Sequence, residues 1–261
     1  MKQRTLTGVV LALLSMVLLG CFHLPWVPQL IAILLGCGAV WEILGANGIR
    51  NEGSYAAGLF LAVIIPLFSL TEKVWWMAAA LVLGLGFFTY LMTRIGKQAP
   101  AWVAAPEIVL ALSLYRGLAC YGEIPHGAFF LCLTGLICAL TDIFAYLVGS
   151  RFGRHKLAPK VSPGKSIEGA LGGLGITVVL IVLVFGRFFD DIGTLVLYTA
   201  VVSILGQFGD LSMSAVKRVA GVKDFGHIFP GHGGILDRCD SLMYPLAFTW
   251  LLYCAQIWIF V

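Results

Sequence analysis

Charge is scarce in this chain of 261 residues. Asp, Glu, Lys and Arg make up only 11% of it, where a soluble domain carries roughly a quarter. That deficit argues against an ordinary water-soluble domain. The seven cysteines, Cys21, Cys37, Cys120, Cys132, Cys138, Cys239 and Cys254, form no CxxC pair and lie mostly inside apolar runs. They read as small buried hydrophobes, not as a disulfide framework or a zinc site. His227 and His232 have no nearby thiolate and no HExxH pattern, so zinc is disfavoured there as well. No internal repeat and no low-complexity tract interrupts the chain, which points to one compact bundle over residues 1–261 instead of an array.

Apolar residues fill the space that charge leaves. They make up 60% of the chain, and the mean hydropathy is +0.96. The apolar runs are long enough to cross a bilayer, and in lipid a helix satisfies its own backbone polar groups. The expected fold is an all-α integral membrane protein, a polytopic bundle of about nine transmembrane helices. Their approximate limits are 5–23, 26–46, 54–71, 74–94, 101–119, 127–150, 167–186, 193–213 and 241–260. The basic start and apolar core of MKQRTLTGVVLALLSMVLLG read as an uncleaved first span, because a second apolar run comes at once after it. With the N-terminus in the cytosol, only Lys73, Arg116 and Arg187 among the 17 Lys and Arg fall on the outer side. This is the asymmetry that the positive-inside rule describes. Residues 1–125 then form the N-terminal helices. Residues 126–261 form a half with two polar segments on the cytosolic side, 151–166 and 214–240.

Acids at membrane depth are costly and usually functional. Asp142 and Asp210 fall in the last turns of the sixth and eighth spans, and Asp237 and Asp240 at the start of the ninth. All four converge on one face of the membrane. Asp210, Ser214 and Lys217 stand at i, i+4 and i+7, one helical stripe, and Asp237 and Asp240 at i and i+3. Two helix ends thus present three carboxylates to a shared cation. Magnesium suits that set, since it takes oxygen ligands and commonly one or two carboxylates plus substrate phosphates.

Phosphate binders lie beside these acids. Lys217, Arg218, Lys223 and Arg238 flank a loop containing Gly226, Gly231, Gly233 and Gly234, where backbone amides can approach an anion. The segment PGKSIEG offers Lys165 and Ser166, although it lacks the GxxxxGK[ST] spacing of a P-loop. A polybasic loop resting on anionic headgroups explains the basic residues of 151–166 equally well. Acids for a divalent cation, bases for phosphates and a place at the membrane surface together suggest phosphoryl or nucleotidyl transfer onto a lipid. A transporter is the alternative from another class. Its acids belong near the bilayer centre on broken helices, whereas these cluster at one face.

The stretch SAVKRVAGVKDFGHIFPGHGGILDRCD, residues 214–240, resembles the signature of the phosphatidate cytidylyltransferases, or CDP-diacylglycerol synthases. The matching positions are Ser214, Lys217, Arg218, Lys223, Asp224, His232, Gly233, Gly234, Asp237, Arg238 and Asp240. GQFGDL (206–211), TD-xx-AY (141–146) and KLAPKVSPGKSIEG (156–169) also look like family blocks, so the likeness covers roughly the C-terminal half. Cys239, Met213 and the pair Ile143–Phe144 depart from the family's usual residues.

The resemblance implies a reaction of CTP with phosphatidate to give CDP-diacylglycerol and pyrophosphate. It also implies dependence on magnesium, alone or with a second cation, and an active site on the cytosolic face of the cell membrane. The implied metal ligands are Asp210, Asp237 and Asp240. Lys217, Lys223, Asp224, Asp237 and Asp240 would carry the reaction. Ser214, Arg218, His232, Gly233, Gly234 and Arg238 would bind substrate, as would Asp142, Tyr146, Lys165 and Ser166. The implied partners are CTP, phosphatidate and membrane lipids, with the chain acting alone or as a homodimer and without nucleic acid. Asp237→Asn is expected to abolish turnover and leave expression intact. A lipid cytidylyltransferase acting on another phospholipid and a polyprenol-type kinase are the rival enzymes, and the block PGHGGILDR argues against the kinase.

Overall fold

A computed structural model describes residues 26–67, 104–122, 124–226 and 233–255, with Ile228 and scattered positions in 17–24 and 82–94. Seven long or medium helices account for most of it: α1 (Trp26–Ala46), α2 (Glu52–Leu67), α3 (Ala104–Cys120), α4 (Gly127–Phe152), α5 (Ile167–Phe185), α6 (Ile192–Val219) and α8 (Met243–Cys254). One short turn of helix, α7 (Leu236–Cys239), precedes the last of these. Four helices are long and apolar enough to cross a membrane: α1, α4, α5 with its 3₁₀ extension to Phe188, and α6. α2 and α8 are shorter apolar helices. The expected spans 5–23 and 74–94 lie almost wholly outside the described residues, as does the end of the ninth.

Two expected boundaries change. The eighth span was expected to end near 213, but α6 runs on to Val219. Met213, Ala215, Val216 and Val219 remain buried in the core, so the apolar stripe carries the helix beyond the bilayer's greasy stretch. Lys217 and Arg218 stand in its last turn, where cations complement the helix dipole. The polar segment after the sixth span is also more than a loop. β1 (Lys156–Ala158) and β2 (Ser162–Ser166) pair antiparallel, with Lys156 opposite Ser166, so the fold is helical with one small hairpin.

Among the described residues, helices α4 and α5 pack most extensively against each other, and small residues permit it. A Cβ on Gly173 would lie 2.7 Å from the Thr141 carbonyl and 2.9 Å from the Ala145 Cβ. Small residues let backbones approach where lipid supplies no hydrophobic drive between helices. Hydroxyl bonds add to the packing: Thr141 donates to Ser203 at 3.0 Å, and Tyr198 bridges Thr134 at 2.7 Å and Thr249 at 3.0 Å. Gly173→Ala is expected to push α4 and α5 apart at a cost of about 1–3 kcal/mol, read as a lowered unfolding temperature of the detergent-purified protein.

The close pair also anchors the hairpin between its two helices. Ser166 ends β2 and caps α5, its Oγ accepting the Gly169 N–H at 3.1 Å. Glu168 in the first turn ties the chain after α4 by accepting the backbone N–H groups of Arg154 at 3.0 Å and His155 at 3.2 Å. The hairpin is thereby held across the ends of α4 and α5. Arg218 of α6 grips its far side, with Nε donating to the Val161 carbonyl at 3.1 Å and Nη1 to the Val222 carbonyl at 3.1 Å.

Candidate active site

A cavity of about 370 Å³ opens between α4, the hairpin and α6, within the size range of small-ligand sites. Asp142 and Tyr146 of α4, Lys165 and Ser166 of β2, and Gln207 and Asp210 of α6 line it. All of these but Gln207 were legible in the sequence, in separate motifs with no stated contact, and the fold brings them to one wall. Tyr146 is 75% exposed, which places it at the rim.

Lys165 is the hub of this wall. Its Nζ pairs with the Asp210 carboxylate, and its charge lies within electrostatic reach of Asp142, Asp240 and Lys217. Burial pushes its ammonium below the usual lysine range, while Asp142 and Asp240 partly restore it.

Behind Lys165 stands a second charged group. Lys217 is 8% exposed; its Nζ donates to Asp237 Oδ1 at 2.8 Å and lies 4.0 Å from Asp240 Oδ2. The other oxygen of Asp237 accepts the backbone N–H groups of Phe225 at 2.9 Å and Gly234 at 3.0 Å. Burial alone would raise this carboxyl, but the Lys217 bond and the two amides outweigh it and hold Asp237 below its ordinary value. Asp240 goes the other way. Burial lifts it above the carboxylate range, and Lys217 and the Ser241 N–H offset only part of that.

Gly233 has φ +85°, a conformation that glycine adopts without strain. That bend delivers the Gly234 N–H to Asp237. The turn after α6 uses Gly221 in the same way, at φ +74°.

These contacts divide the expected metal set. Asp210 pairs with Lys165, while Asp237 and Asp240 pair with Lys217. Among the described residues no three His, Cys, Asp or Glu side chains gather closely enough to hold a metal ion. The i, i+3 spacing of Asp237 and Asp240 holds across the four-residue α7, whose C-cap Asp240 keeps helical angles (φ −59°, ψ −41°), and sets both carboxylates near Lys217. The long last helix, α8, begins only at Met243. The physical reason for the division is that the buried Lys217 ammonium requires carboxylate partners of its own, while the half-buried Lys165 takes Asp210.

The remaining expected residues are spread more widely. Lys223 and Asp224 are exposed on the loop and Arg238 is exposed on α7, and none of them lines the cavity. Arg218 spends two of its donors on backbone carbonyls. Ser214 is half-buried on α6. His232 lies outside the described residues. Sequence reading passed over Gln207, which lines the cavity and donates to the Ala170 carbonyl at 3.3 Å. It also passed over Glu42 of α1, which is 2% exposed and accepts the Ile235 and Leu236 N–H groups at 2.7 and 2.9 Å. A lone acid in a long apolar run was the available signal for Glu42.

The model of the cytidylyltransferase family matches residues 2–255. The chain belongs to that family. Three proteins named phosphatidate cytidylyltransferase are similar to it along almost their whole length. That of Staphylococcus haemolyticus (strain JCSC1435) is 37% identical over 257 residues, covering 94% of this chain and 96% of that protein. That of Staphylococcus epidermidis (strain ATCC 12228 / FDA PCI 1200) is 36% identical over 254 residues, with the same coverage. That of Staphylococcus aureus (strain COL) is 35% identical over 257 residues, again covering 94% and 96%. Family membership therefore extends beyond the C-terminal blocks to the N-terminal helices, including α1 with its Glu42.

Proposed function

We propose that this protein joins CTP to phosphatidate, giving CDP-diacylglycerol and pyrophosphate for phospholipid synthesis. It is a nucleotidyltransferase of the membrane. The observation that carries this reading is the cavity wall where Lys165 meets Asp142 and Asp210, in a chain of the cytidylyltransferase family. The phosphatidate oxygen forms a bond to the α-phosphorus of CTP, and the bond from that phosphorus to the β-phosphate bridging oxygen breaks. The attacking oxygen is already anionic near neutral pH, so the reaction needs charge compensation more than a strong base. Lys165, at the cavity wall, offsets the approaching phosphates. Lys217, packed behind it, favours the ionised form of Asp237 and holds Asp237 and Asp240 in place.

In this reading the acids that would hold magnesium are Asp142, Asp210 and Asp240, hard oxygen donors that pair with or lie within electrostatic reach of the Lys165 ammonium. Among the described residues they do not form a three-ligand site by themselves, so the nucleotide phosphates would supply the remaining ligands. Asp237 is excluded from direct ligation in this reading, because three internal donors occupy its oxygens. Magnesium bound by Asp142, Asp210 and Asp240 would neutralise triphosphate oxygens and ease departure of pyrophosphate. A second cation has the same donors available.

The reading also takes nine spans, with the N-terminus and the cavity facing the cytosol. Its support is the concentration of Lys and Arg in 151–166 and 214–240. One assay tests chemistry and sidedness together. Purified protein with labelled CTP, phosphatidate and Mg²⁺ is expected to yield lipid-linked CMP and pyrophosphate, and EDTA to stop it. In sealed vesicles, external CTP is expected to be used only when the cytosolic face points outward. Product formed without any divalent cation refutes the metal reading, and equal use of CTP from both faces refutes the orientation.

A further inference from the structure

We infer that Glu42, in the N-terminal half, is a positioning residue for nucleotidyl transfer: it holds the segment Gly233–Asp240 in register against α1. This rests on reading Lys217, Asp237 and Asp240 as part of the reactive site. Each carboxylate oxygen of Glu42 takes one backbone N–H, Oε1 from Ile235 and Oε2 from Leu236. The two amides open α7, where N–H groups have no partner within the helix. Such charge-assisted bonds are strong when shielded from water, and Glu42 is 2% exposed.

The neighbouring residues are shaped around this contact. One turn before Glu42, Gly38 leaves room for the Ile235 side chain, and a Cβ there would lie 2.5 Å from Ile235 Cδ1. On the loop side, a Cβ on Gly226 would lie 2.7 Å from Glu42 Oε1, and one on Gly234 would collide with the same carboxylate. Two glycines of the polar segment thus make room for a side chain that comes from another part of the chain. Gly234 also supplies the N–H that Asp237 accepts. One short run, Gly234–Leu236, therefore faces Asp237 on one side and Glu42 on the other. A shift of the run on α1 moves Asp237, and with it Lys217 and Asp240.

Glu42→Gln keeps the size of the side chain but offers a single acceptor oxygen, and its amide group faces one of the two N–H donors. Turnover per folded molecule is expected to fall about 10–100-fold, the scale of a small misplacement near the chemistry. KM for CTP is expected to stay within about threefold, because Glu42 does not touch substrate. Glu42→Asp keeps both acceptors on a shorter arm, so its kcat is expected to lie between the two. A role in folding alone lowers the unfolding temperature and the yield but leaves kcat of the monodisperse fraction unchanged. If Glu42→Gln fails to fold, Glu42→Asp and Gly38→Ala, which displaces Ile235 without altering the carboxylate, carry the same measurement. Folded variants with wild-type kcat overturn the inference. Asp240→Asn, assayed beside them, separates the two failures. If it is inactive while Glu42→Gln is unimpaired, only the positioning role is lost. If it is fully active, the site reading falls and the positioning role falls with it.

Discussion

Lys165→Met is expected to lower kcat/KM for CTP on the order of 10²–10³-fold, the scale seen when one preorganised charge is removed from a transferring phosphoryl centre. Lys165 is the cation on the cavity wall that touches Asp210 and feels Asp142 and Asp240. Without it, Asp142 and Asp210 line the cavity with no cation on the wall to offset them. Repulsion of the nucleotide raises KM, and weaker compensation of charge at the α-phosphorus lowers kcat. The side chain of Lys165 is 29% exposed, so its loss opens no buried cavity, and the unfolding temperature is expected to hold. Steady-state kinetics with phosphatidate in mixed micelles, varying CTP, check the result. A variant whose kcat/KM lies within about threefold of wild type would exclude Lys165 from the reactive centre.

Asp237→Asn is expected to damage both fold and turnover, a larger effect than the loss of activity alone that the signature suggested. Asp237 accepts from Lys217, Phe225 and Gly234 with both oxygens, and its side chain is 4% exposed. Asparagine offers one acceptor oxygen for these three donors and turns an N–H₂ group toward the rest. Lys217 would then stand buried with only Asp240, at 4.0 Å, to balance it. Breaking a buried pair in this way costs about 3–5 kcal/mol. The expected outcome is a clear drop in unfolding temperature and in yield, with residual activity reduced on the order of 10²-fold or more. Thermal unfolding of the purified variant is the deciding measurement. Unchanged stability would show that Asp237 is not the lock of the loop, and unchanged activity would remove it from the site altogether.

Both expectations differ from a reading in which every aspartate of the signature ligates a metal. In the fold, Asp142 and Asp210 face the cavity, and Asp237 ties Lys217 to the loop. The same residue type thus takes two places in the fold, one lining the cavity and one tying the scaffold. The same division applies to the cations. Lys165 lines the cavity, while Arg218 clamps the hairpin to α6 through Val161 and Val222.

Much of this is readable from the residues alone. The expected span 26–46 coincides with α1, and 127–150 falls within Gly127–Phe152, because an apolar run of bilayer length in a chain poor in charge has little alternative to a helix. The stripe Asp210–Ser214–Lys217 survives because α6 continues through it, and helical periodicity is local information. The polar stretch 214–240 is likewise visible as a concentration of the residue types that phosphate chemistry requires, but none of its residues lines the cavity. Contacts between distant segments are not visible. Glu42 meets Ile235 across 193 positions, and hydropathy records that a residue is buried without recording against what. The hairpin at 156–166 escapes because its strands are short and only partly buried, so they carry little alternation to detect. Which lysine each aspartate takes is settled by packing. A buried ammonium such as Lys217 must find a carboxylate within a few ångströms, and the half-buried Lys165 pairs at the cavity wall. Only the folded arrangement of α4, the hairpin, α6 and α7 decides which carboxylates lie within reach.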